Sequence, residues 1–194
     1  MSRVPAASTA TLPDRRNELT RRLILESALQ VLERSSFGGL TMGAVAKRAR
    51  MSQRTVFRYF PTREAFLDAI AEQLRLLLGL PPPKSVEELL AFPRALYTGF
   101  EAHARLMRAA LHSELYERMR ETAARVRWEA VRRIVDAIAP GRSDAERKIA
   151  AANIRFYLGA STWHYYRSHF DFTLEEAIRA AETAIRQSLD GLRG

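Results

Sequence analysis

Apolar residues recur at spacings of three and four along most of this sequence. One stripe lies in the first third of the chain, at Ile24, Leu25, Ala28, Val31 and Leu32. A second occupies Phe66, Leu67, Ile70, Leu74 and Leu77. This spacing places apolar side chains on one face of an α-helix, and the strict alternation of a β-strand is nearly absent. The chain of 194 residues, with only nine glycines, is therefore predicted to be all-α.

Helix-ending and helix-capping residues divide this pattern into segments. A flexible tail is expected over residues 1–17, and a first helix from about Leu19 to Ser35, ended by Phe37-Gly38-Gly39. Thr41 and Ser52 are expected to cap two short helices, and a longer helix follows from Pro61-Thr62 to Gly79. Pro81-Pro82-Pro83 predicts the boundary between a domain at 18–80 and a domain at 84–194. The second domain is expected to contain helices near 85–91, 93–102, 104–113, 115–138, 144–168 and 174–192.

Composition excludes several classes of protein. Apolar residues make up 47% of the chain, which is too high for a disordered protein. No apolar run approaches the roughly 20 residues of a membrane span, and residues 1–16 lack the apolar core of a secretory signal. Cysteine is absent, which excludes disulfides and thiolate chemistry. A soluble, cytoplasmic protein with no membrane partner is expected.

The positive charge is concentrated in the first 80 residues. The formal net charge is +9, and residues 1–80 carry thirteen basic and seven acidic side chains, which is +6 of that total. Between Glu33 and Glu64 there is no acidic residue, while seven side chains are basic. Solvated helix faces usually mix both signs, whereas a stretch without acids suits a polyphosphate partner. Double-stranded DNA is the partner that this distribution favours.

The two short helices form a predicted helix-turn-helix, whose second helix would enter the major groove. Val56 and Phe60 lie four residues apart and are expected to seat that helix on the core. Arginine and glutamine pair bidentately with guanine and adenine, so base contacts are assigned to Gln53, Arg54, Thr55 and Arg58. Phosphate contacts are expected from Lys47, Tyr59, Thr62 and Arg63, and Arg48 lies on the helix that crosses the DNA backbone. Ser52 and Phe57 complete the candidate DNA-binding residues.

Residues 20–70 also match a spaced family pattern. The matching positions are Ile24-Leu25-Glu26-Ser27-Ala28, Thr41, Val45-Ala46, Ala49, Ser52, Thr55-Val56-Phe57, Tyr59-Phe60-Pro61 and Glu64. The stretch resembles the TetR/AcrR-type one-component transcriptional regulators. That resemblance implies an N-terminal three-helix DNA-binding head followed by a helical ligand-binding and dimerisation domain.

The sequence departs from the family pattern at five positions. Ser36, Arg50 and Arg54 stand where the family usually has glycine, Phe57 stands for tyrosine, and Arg63 for lysine. Arg50 would be strained if its backbone is left-handed. Phe57 has no hydroxyl for a phosphate, and a core position is its more frequent role. A core position is also the alternative for Tyr59.

The resemblance implies that the last two helices pair with those of a second copy. Small residues that allow close helix contact occur there, at Ala150, Ala151, Gly159, Ala160, Ala177, Ala180, Ala181 and Ala184. Packing within one domain is the alternative for each. Candidates for lining an effector pocket are the aromatic, histidine and methionine residues Phe100, His103, Met107, His112, Tyr116, Trp128, Phe156, Tyr157, Trp163 and His164.

No catalytic pattern is present. The four histidines lack metal-ligand spacing, and neither a nucleophile elbow nor a phosphate-binding glycine loop occurs. The sequence therefore predicts a cytoplasmic homodimeric DNA-binding regulator, a repressor released from a palindromic operator by a small-molecule effector, with no cofactor, metal or enzymatic activity. The alternative is a basic all-helical ligand-binding or enzymatic protein in which the helix-turn-helix is only scaffold.

Overall fold

The computed structural model describes residues 11–34 and 39–193, and within them it is helical with no strand. The first four helices are α1 (Leu12–Arg34), α2 (Met42–Ala49), α3 (Gln53–Tyr59) and α4 (Arg63–Leu78). The next six are α5 (Val86–Ala102), α6 (Ala104–Leu111), α7 (Leu115–Ile138), α8 (Asp144–Tyr157), α9 (Ala160–His169) and α10 (Leu174–Arg193). The all-α prediction is confirmed. No helix in these residues is long and apolar enough to cross a membrane.

The chain forms two compact units, unit 1 up to Ile70 and unit 2 from Ala71 onward. This division falls inside α4, ahead of the Pro81–Pro83 run at which the sequence predicts a boundary. The predicted domain limits of 18–80 and 84–194 stay a prediction.

Helix α1 begins earlier than its sequence suggests. Residues 12–17, which the sequence assigns to a flexible tail, are the first turns of α1. The Thr11 hydroxyl donates to the Asp14 carboxylate at 2.6 Å, and the Asp14 carboxylate also accepts the Thr11 N–H at 3.1 Å. Pro13 does not prevent this start, because the N–H groups of a first helical turn have no intrahelical acceptor in any case. Residues 1–10 of the predicted tail, and Phe37 and Gly38 of the predicted helix end, lie outside the described residues.

Unit 1 is organised around the apolar stripe of α1. Ile24, Leu25 and Ala28 are buried, together with Val45 of α2 and Val56 of α3. Caps fix where the two short helices start, as predicted. The Ala44 N–H donates to the Thr41 hydroxyl, and the Thr55 N–H donates to the Ser52 hydroxyl, both at 3.1 Å.

Unit 2 differs from the sequence prediction in two helices. The segments expected at 85–91 and 93–102 form one helix, α5, with Pro93 inside it. Proline removes one helical hydrogen bond, but Pro93 and the apolar face around it are buried, and this burial holds the helix together. The helix expected at 144–168 is divided at Leu158-Gly159, where Gly159 is extended (φ −102°, ψ 146°) and the Thr162 hydroxyl bonds the Phe156 carbonyl at 2.6 Å.

The core of unit 2 uses several of the small residues that the sequence assigns to a dimer interface. Ala150, Ala151, Ala177 and Ala181 are buried within the unit and belong to the same apolar cluster as Trp163. Their small side chains therefore serve packing between helices of the same chain, which was the alternative for each of them.

Candidate nucleic-acid interface and ligand cavity

The turn between α2 and α3 is closed by a left-handed arginine. Arg50 has φ 55° and ψ 42°, and the Met51 N–H reaches the Ala46 carbonyl at 2.9 Å. A side chain with a Cβ costs roughly 1 kcal/mol in this conformation, and glycine avoids the cost. The left-handed backbone expected to be strained with a non-glycine residue is therefore present. Arg50 also places an additional exposed cation beside α3.

Helix α3 packs through one apolar face and exposes polar side chains on its other face. Val56 is fully buried and Phe60 is 2% exposed, as their four-residue spacing predicts. Gln53, Arg54 and Arg58 are exposed, whereas Thr55 is half-buried. The Thr55 hydroxyl lies 2.9 Å from that of Ser52. The three exposed side chains are therefore available to a partner, while Thr55 and Ser52 also hold the start of the helix.

Phe57 is not a core residue. It is 46% exposed, which contradicts the core position that was favoured for it. Only one face of a seven-residue helix can pack against α1 and α2, and Val56 occupies it. Phe57 thus lies on the exposed side with Arg54 and Arg58, where its ring can contact an apolar feature such as a thymine methyl.

Tyr59 is tied to the start of α1. Its hydroxyl donates to Asn17 Oδ1 at 3.0 Å, and the Arg58 guanidinium lies 5.2 Å from its ring centroid. A hydrogen bond with Thr20 is the main cause that lowers the pKa of Tyr59, and the charges of Arg58 and Arg16 act in the same direction. Sequence reasoning missed Asn17 and Arg16, since both fell in the predicted tail.

Helix α2 and the start of α4 carry the phosphate candidates. Lys47 and Arg48 are exposed on α2, and Arg48 Nε donates to the Gln30 amide oxygen at 2.7 Å. Thr62 caps α4 by accepting the Ala65 N–H at 3.1 Å, and Arg63 is the first residue of that helix. An anion at this end would meet N–H groups that have no helical acceptor.

A close approach between α2 and α3 positions Gln53. A Cβ added at Gly43 would lie 2.8 Å from Gln53 Nε2, so the amide of Gln53 rests against the backbone of α2. Gly43 was not singled out by sequence reasoning. Its place one residue after the start of α2, where alanine would favour the helix more, is the signal that could have identified it.

Unit 2 contains a cavity of about 770 Å³. Half of the ten predicted pocket residues line it: Phe100, Met107, Tyr116, Trp128 and Phe156. The other five, His103, His112, Tyr157, Trp163 and His164, do not line it. Sequence reasoning missed Arg75, Leu78, Leu111, Ala152, Arg155, Ser161 and Thr162, and it noted Arg125 and Arg127 only for their charge.

Three of the five residues outside the cavity form buried or clustered contacts of their own. Trp163 is fully buried, and its indole N–H donates to the Glu101 carboxylate at 3.1 Å. The His164 ring lies 5.3 Å from the ring of His112 and 6.3 Å from that of His169. Burial is the main cause that lowers the pKa of His164, and electrostatic interactions with His112, Arg108 and His169 act in the same direction. The described residues contain no group of three or more side chains able to hold a metal ion.

Comparison with known proteins identifies the N-terminal unit. Residues 24–70 match the model of the family described as bacterial regulatory proteins, tetR family. A search of curated proteins gives no match. Among solved structures, a TetR-like transcriptional regulator from Rhodococcus sp. RHA1 aligns with a TM-score of 0.64 at 13% identity, over 97% of this chain and 100% of that one.

Two further solved structures cover most of the chain at lower similarity. A TetR transcriptional regulator from Rhodococcus sp. RHA1 has a TM-score of 0.43 and 20% identity, over 90% of this chain and 96% of that one. A putative TetR-family regulator from Mesorhizobium loti MAFF303099 has a TM-score of 0.47 and 16% identity, over 91% and 98%. The fold assignment rests on the first alignment, and the helix-turn-helix match carries the family assignment. Residues 24–70 of the chain therefore carry the N-terminal domain of the tetR family of bacterial regulatory proteins, within a TetR-like fold.

Proposed function

We propose that this chain is a cytoplasmic repressor that binds a palindromic operator as a homodimer and is released by a small-molecule effector. One observation carries the DNA-binding part of the proposal. Helix α3 turns Gln53, Arg54 and Arg58 outward, within a stretch of sequence that has no acidic residue between Glu33 and Glu64. A surface of this kind attracts phosphates electrostatically and offers side chains that read base edges.

The proposed contacts fall into two kinds. Gln53, Arg54 and Arg58 read base edges in the major groove, with Phe57 and Thr55 beside them. The phosphate positions are Lys47, Arg48, Tyr59, Thr62 and Arg63, with Ser52 at the start of the reading helix. Each base-reading arginine is expected to contribute about 1–3 kcal/mol of discrimination between sequences, and each phosphate contact lowers affinity for all sequences when it is lost.

The test is a genomic selection with purified protein, followed by titration of the selected duplex at several salt concentrations. Arg54→Ala is expected to weaken binding at least tenfold and to relax preference at one base pair. Arg63→Ala is expected to weaken binding to all sequences alike. Arg105→Ala, which removes an exposed arginine of α6, is the matched control. Unchanged affinity in both head variants would mean that the helix-turn-helix is only scaffold.

Dimerisation is proposed through the outer face of α8. Ile149 and Phe156 are 63% and 64% exposed, and Ala152 lies exposed between them on the same helix. This apolar stripe spans eight residues, with a helical spacing of three and four that suits contact with another helix. Ala180 and Ala184 are half-buried and form a second, smaller apolar surface on α10. A second copy of the chain is the proposed occupant, since two heads about 34–36 Å apart read successive major grooves.

The solution mass tests the dimer. A dimer is expected at micromolar concentration, and Ile149→Glu, which leaves the cavity residues Ala152 and Phe156 in place, is expected to give a monomer with unchanged helix content. Lys148→Glu on the same helix serves as the control, because it changes charge without removing apolar area. A monomeric native chain would contradict this part of the proposal.

The effector is proposed to bind in the cavity of unit 2 and to act through α4. Arg75 and Leu78 of α4 line the cavity, and the same helix begins at Arg63, one of the proposed phosphate contacts. An effector weakens DNA binding only if it binds more tightly to a state with a different head position. Release of the selected duplex by an effector, with no loss of dimer mass, is the expected result.

A further inference from the structure

The cavity of unit 2 has mainly apolar walls. Leu78, Phe100, Met107, Leu111, Trp128 and Phe156 supply most of them. Its volume of about 770 Å³ falls in the range that encloses most of a drug-sized molecule. The aromatic and methionine side chains suit a flat or flexible hydrocarbon body.

The polar part of the wall has one sign of charge. Four arginines line the cavity, and none of the described residues lining it is acidic. Two of these arginines are paired with a carboxylate: Arg75 with Glu72 at 2.6 Å and Arg125 with Glu129 at 3.3 Å. Arg127 has no carboxylate partner among the described residues, so it sets the local charge that a ligand meets there.

Arg127 is the strongest anchor for an anion. It is half-buried, and its Nη1 donates to the Leu158 carbonyl at 3.2 Å, which is its single recorded hydrogen bond among the described residues. Burial is the main cause that lowers the pKa of Arg127 to about 10, and the positive charge of Arg155 adds to it. A guanidinium has five N–H donors and keeps its charge at neutral pH. The remaining donors of Arg127 are available to an oxyanion.

Neutral polar groups near this cation are already engaged. The Tyr116 and Ser161 hydroxyls lie 2.6 Å apart, and the Thr162 hydroxyl donates to the Phe156 carbonyl. Thr162 has no second proton to donate, and in the Tyr116–Ser161 pair only the accepting hydroxyl keeps a proton for a ligand. Arg127 is therefore the group that selects the head of the ligand, and the apolar wall selects its body.

We infer that the effector is an amphipathic organic anion, with one carboxylate or sulfonate head held by Arg127 and an apolar body against Phe100, Met107 and Trp128. This inference rests on the proposed effector site in unit 2. It extends that proposal by naming the chemical class of the ligand. Neutral molecules with the same body bind more weakly, because they leave the guanidinium donors without an acceptor.

Two dyes with the same aromatic body provide the test. The anionic probe is 1-anilinonaphthalene-8-sulfonate, and its uncharged counterpart is N-phenyl-1-naphthylamine. The native chain is expected to bind the sulfonate at least about tenfold more tightly than the neutral dye. Energy transfer from tryptophan, reduced in Trp128→Phe, reports whether the bound dye lies in the cavity. Equal affinity for the two dyes would overturn the inference.

Substitution of Arg127 tests the assigned anchor. Arg127→Met is expected to abolish the preference for the sulfonate, whereas Arg127→Lys and the exposed-site control Arg105→Met are expected to retain it. Arg54→Ala controls for dye held on the basic surface of unit 1. If Arg127→Met does not fold, Arg127→Gln removes the charge and keeps a donor for the Leu158 carbonyl. A preference that survives the loss of charge would overturn the assignment.

The result is separable from the proposed function. Dye binding is measured without DNA, so a selective cavity in a chain that binds no operator would contradict the regulator proposal and leave the ligand class standing. A chain that binds its operator but does not distinguish the two dyes would support the regulator proposal and overturn the ligand class.

Discussion

The two units use their arginines differently. In unit 2, arginines join helices that are far apart in the sequence: Arg94 pairs with Glu175 at 2.7 Å, and Arg167 pairs with Glu101 at 3.0 Å. In unit 1, Lys47, Arg50 and Arg54 are exposed and have no carboxylate partner among the described residues. These two arginines of unit 2 therefore link helices of the fold, whereas the three cations of unit 1 are available to a polyanion.

The largest expected effect is the salt dependence of unit 1. If three phosphate contacts in each head of a dimer are formed by Lys47, Arg48 and Arg63, DNA affinity falls by about 10³-fold between 50 and 200 mM salt. Lys47→Ala is expected to lower the slope of log affinity against log salt by roughly one contact per head. Titration of the selected duplex measures both quantities. A slope of log affinity against log salt near zero would mean that the cations of unit 1 do not bind phosphates, which contradicts the contrast drawn between the two units.

The ion pair of Glu101 with Arg167 is expected to give the next largest effect. Glu101→Gln leaves Arg167 and the indole N–H of Trp163 with a weaker acceptor in a half-buried site. We expect a loss of about 2 kcal/mol in the free energy of unfolding, measured in urea.

A matched exposed pair supplies the control for that variant. Glu129→Gln removes the partner of Arg125, whose side chain is 83% exposed, and it is expected to cost less than about 0.5 kcal/mol. Equal losses in the two variants would show that burial does not determine how much these ion pairs contribute to the free energy of unfolding.

Acid is expected to destabilise unit 2 in two steps. The pKa of His164 lies below its usual 6.5, so the unfolded chain takes up this proton first and stability falls as pH drops below 6.5. Arg167 and Trp163 hold the pKa of Glu101 below 4.5, so its contribution is complete above 4.5 and is lost as pH falls through the lowered value. His164→Gln is expected to flatten the first step in urea titrations between pH 7 and 5. A first step that persists in this variant would assign it to another group.

The smallest expected effect concerns the strained turn of unit 1. Arg50→Gly is expected to raise the free energy of unfolding by about 0.5–1 kcal/mol, because glycine adopts a left-handed backbone at little cost. Arg50→Ala keeps the strain and removes the same charge, so it is expected to give no such gain. Thermal unfolding of both variants measures the difference. Equal stability of the two would mean that the turn is not strained.

Local signals were sufficient for the helix-turn-helix, and distant contacts were not predictable. Thr41 and Ser52 identified the starts of α2 and α3 because a cap acts within three residues. The bond from Tyr59 to Asn17 joins residues 42 positions apart, which no periodicity reports. Phe57 was favoured for the core because it is aromatic, yet the packed face of α3 is too narrow to include it.

The cavity shows the limit of periodicity most clearly. Spacing indicates which side chains face inward, but it does not indicate whether they meet another side chain or leave space. Trp163 and Phe100 are both inward-facing aromatics with ring centroids 5.6 Å apart, yet only Phe100 lines the cavity. The same limit applies to Ala150 and Ala177, whose size suits contact within a chain as well as between chains.

Gly43 bears on whether two related proteins with the same α3 sequence prefer the same DNA bases. A methyl group at this position would displace the amide of Gln53, because the two would lie only 2.8 Å apart. Under the proposed function, a change at position 43 would then alter the base preference of the protein while every DNA-facing residue stayed the same. Two relatives with identical α3 sequences are then expected to differ in base preference if they differ at this glycine.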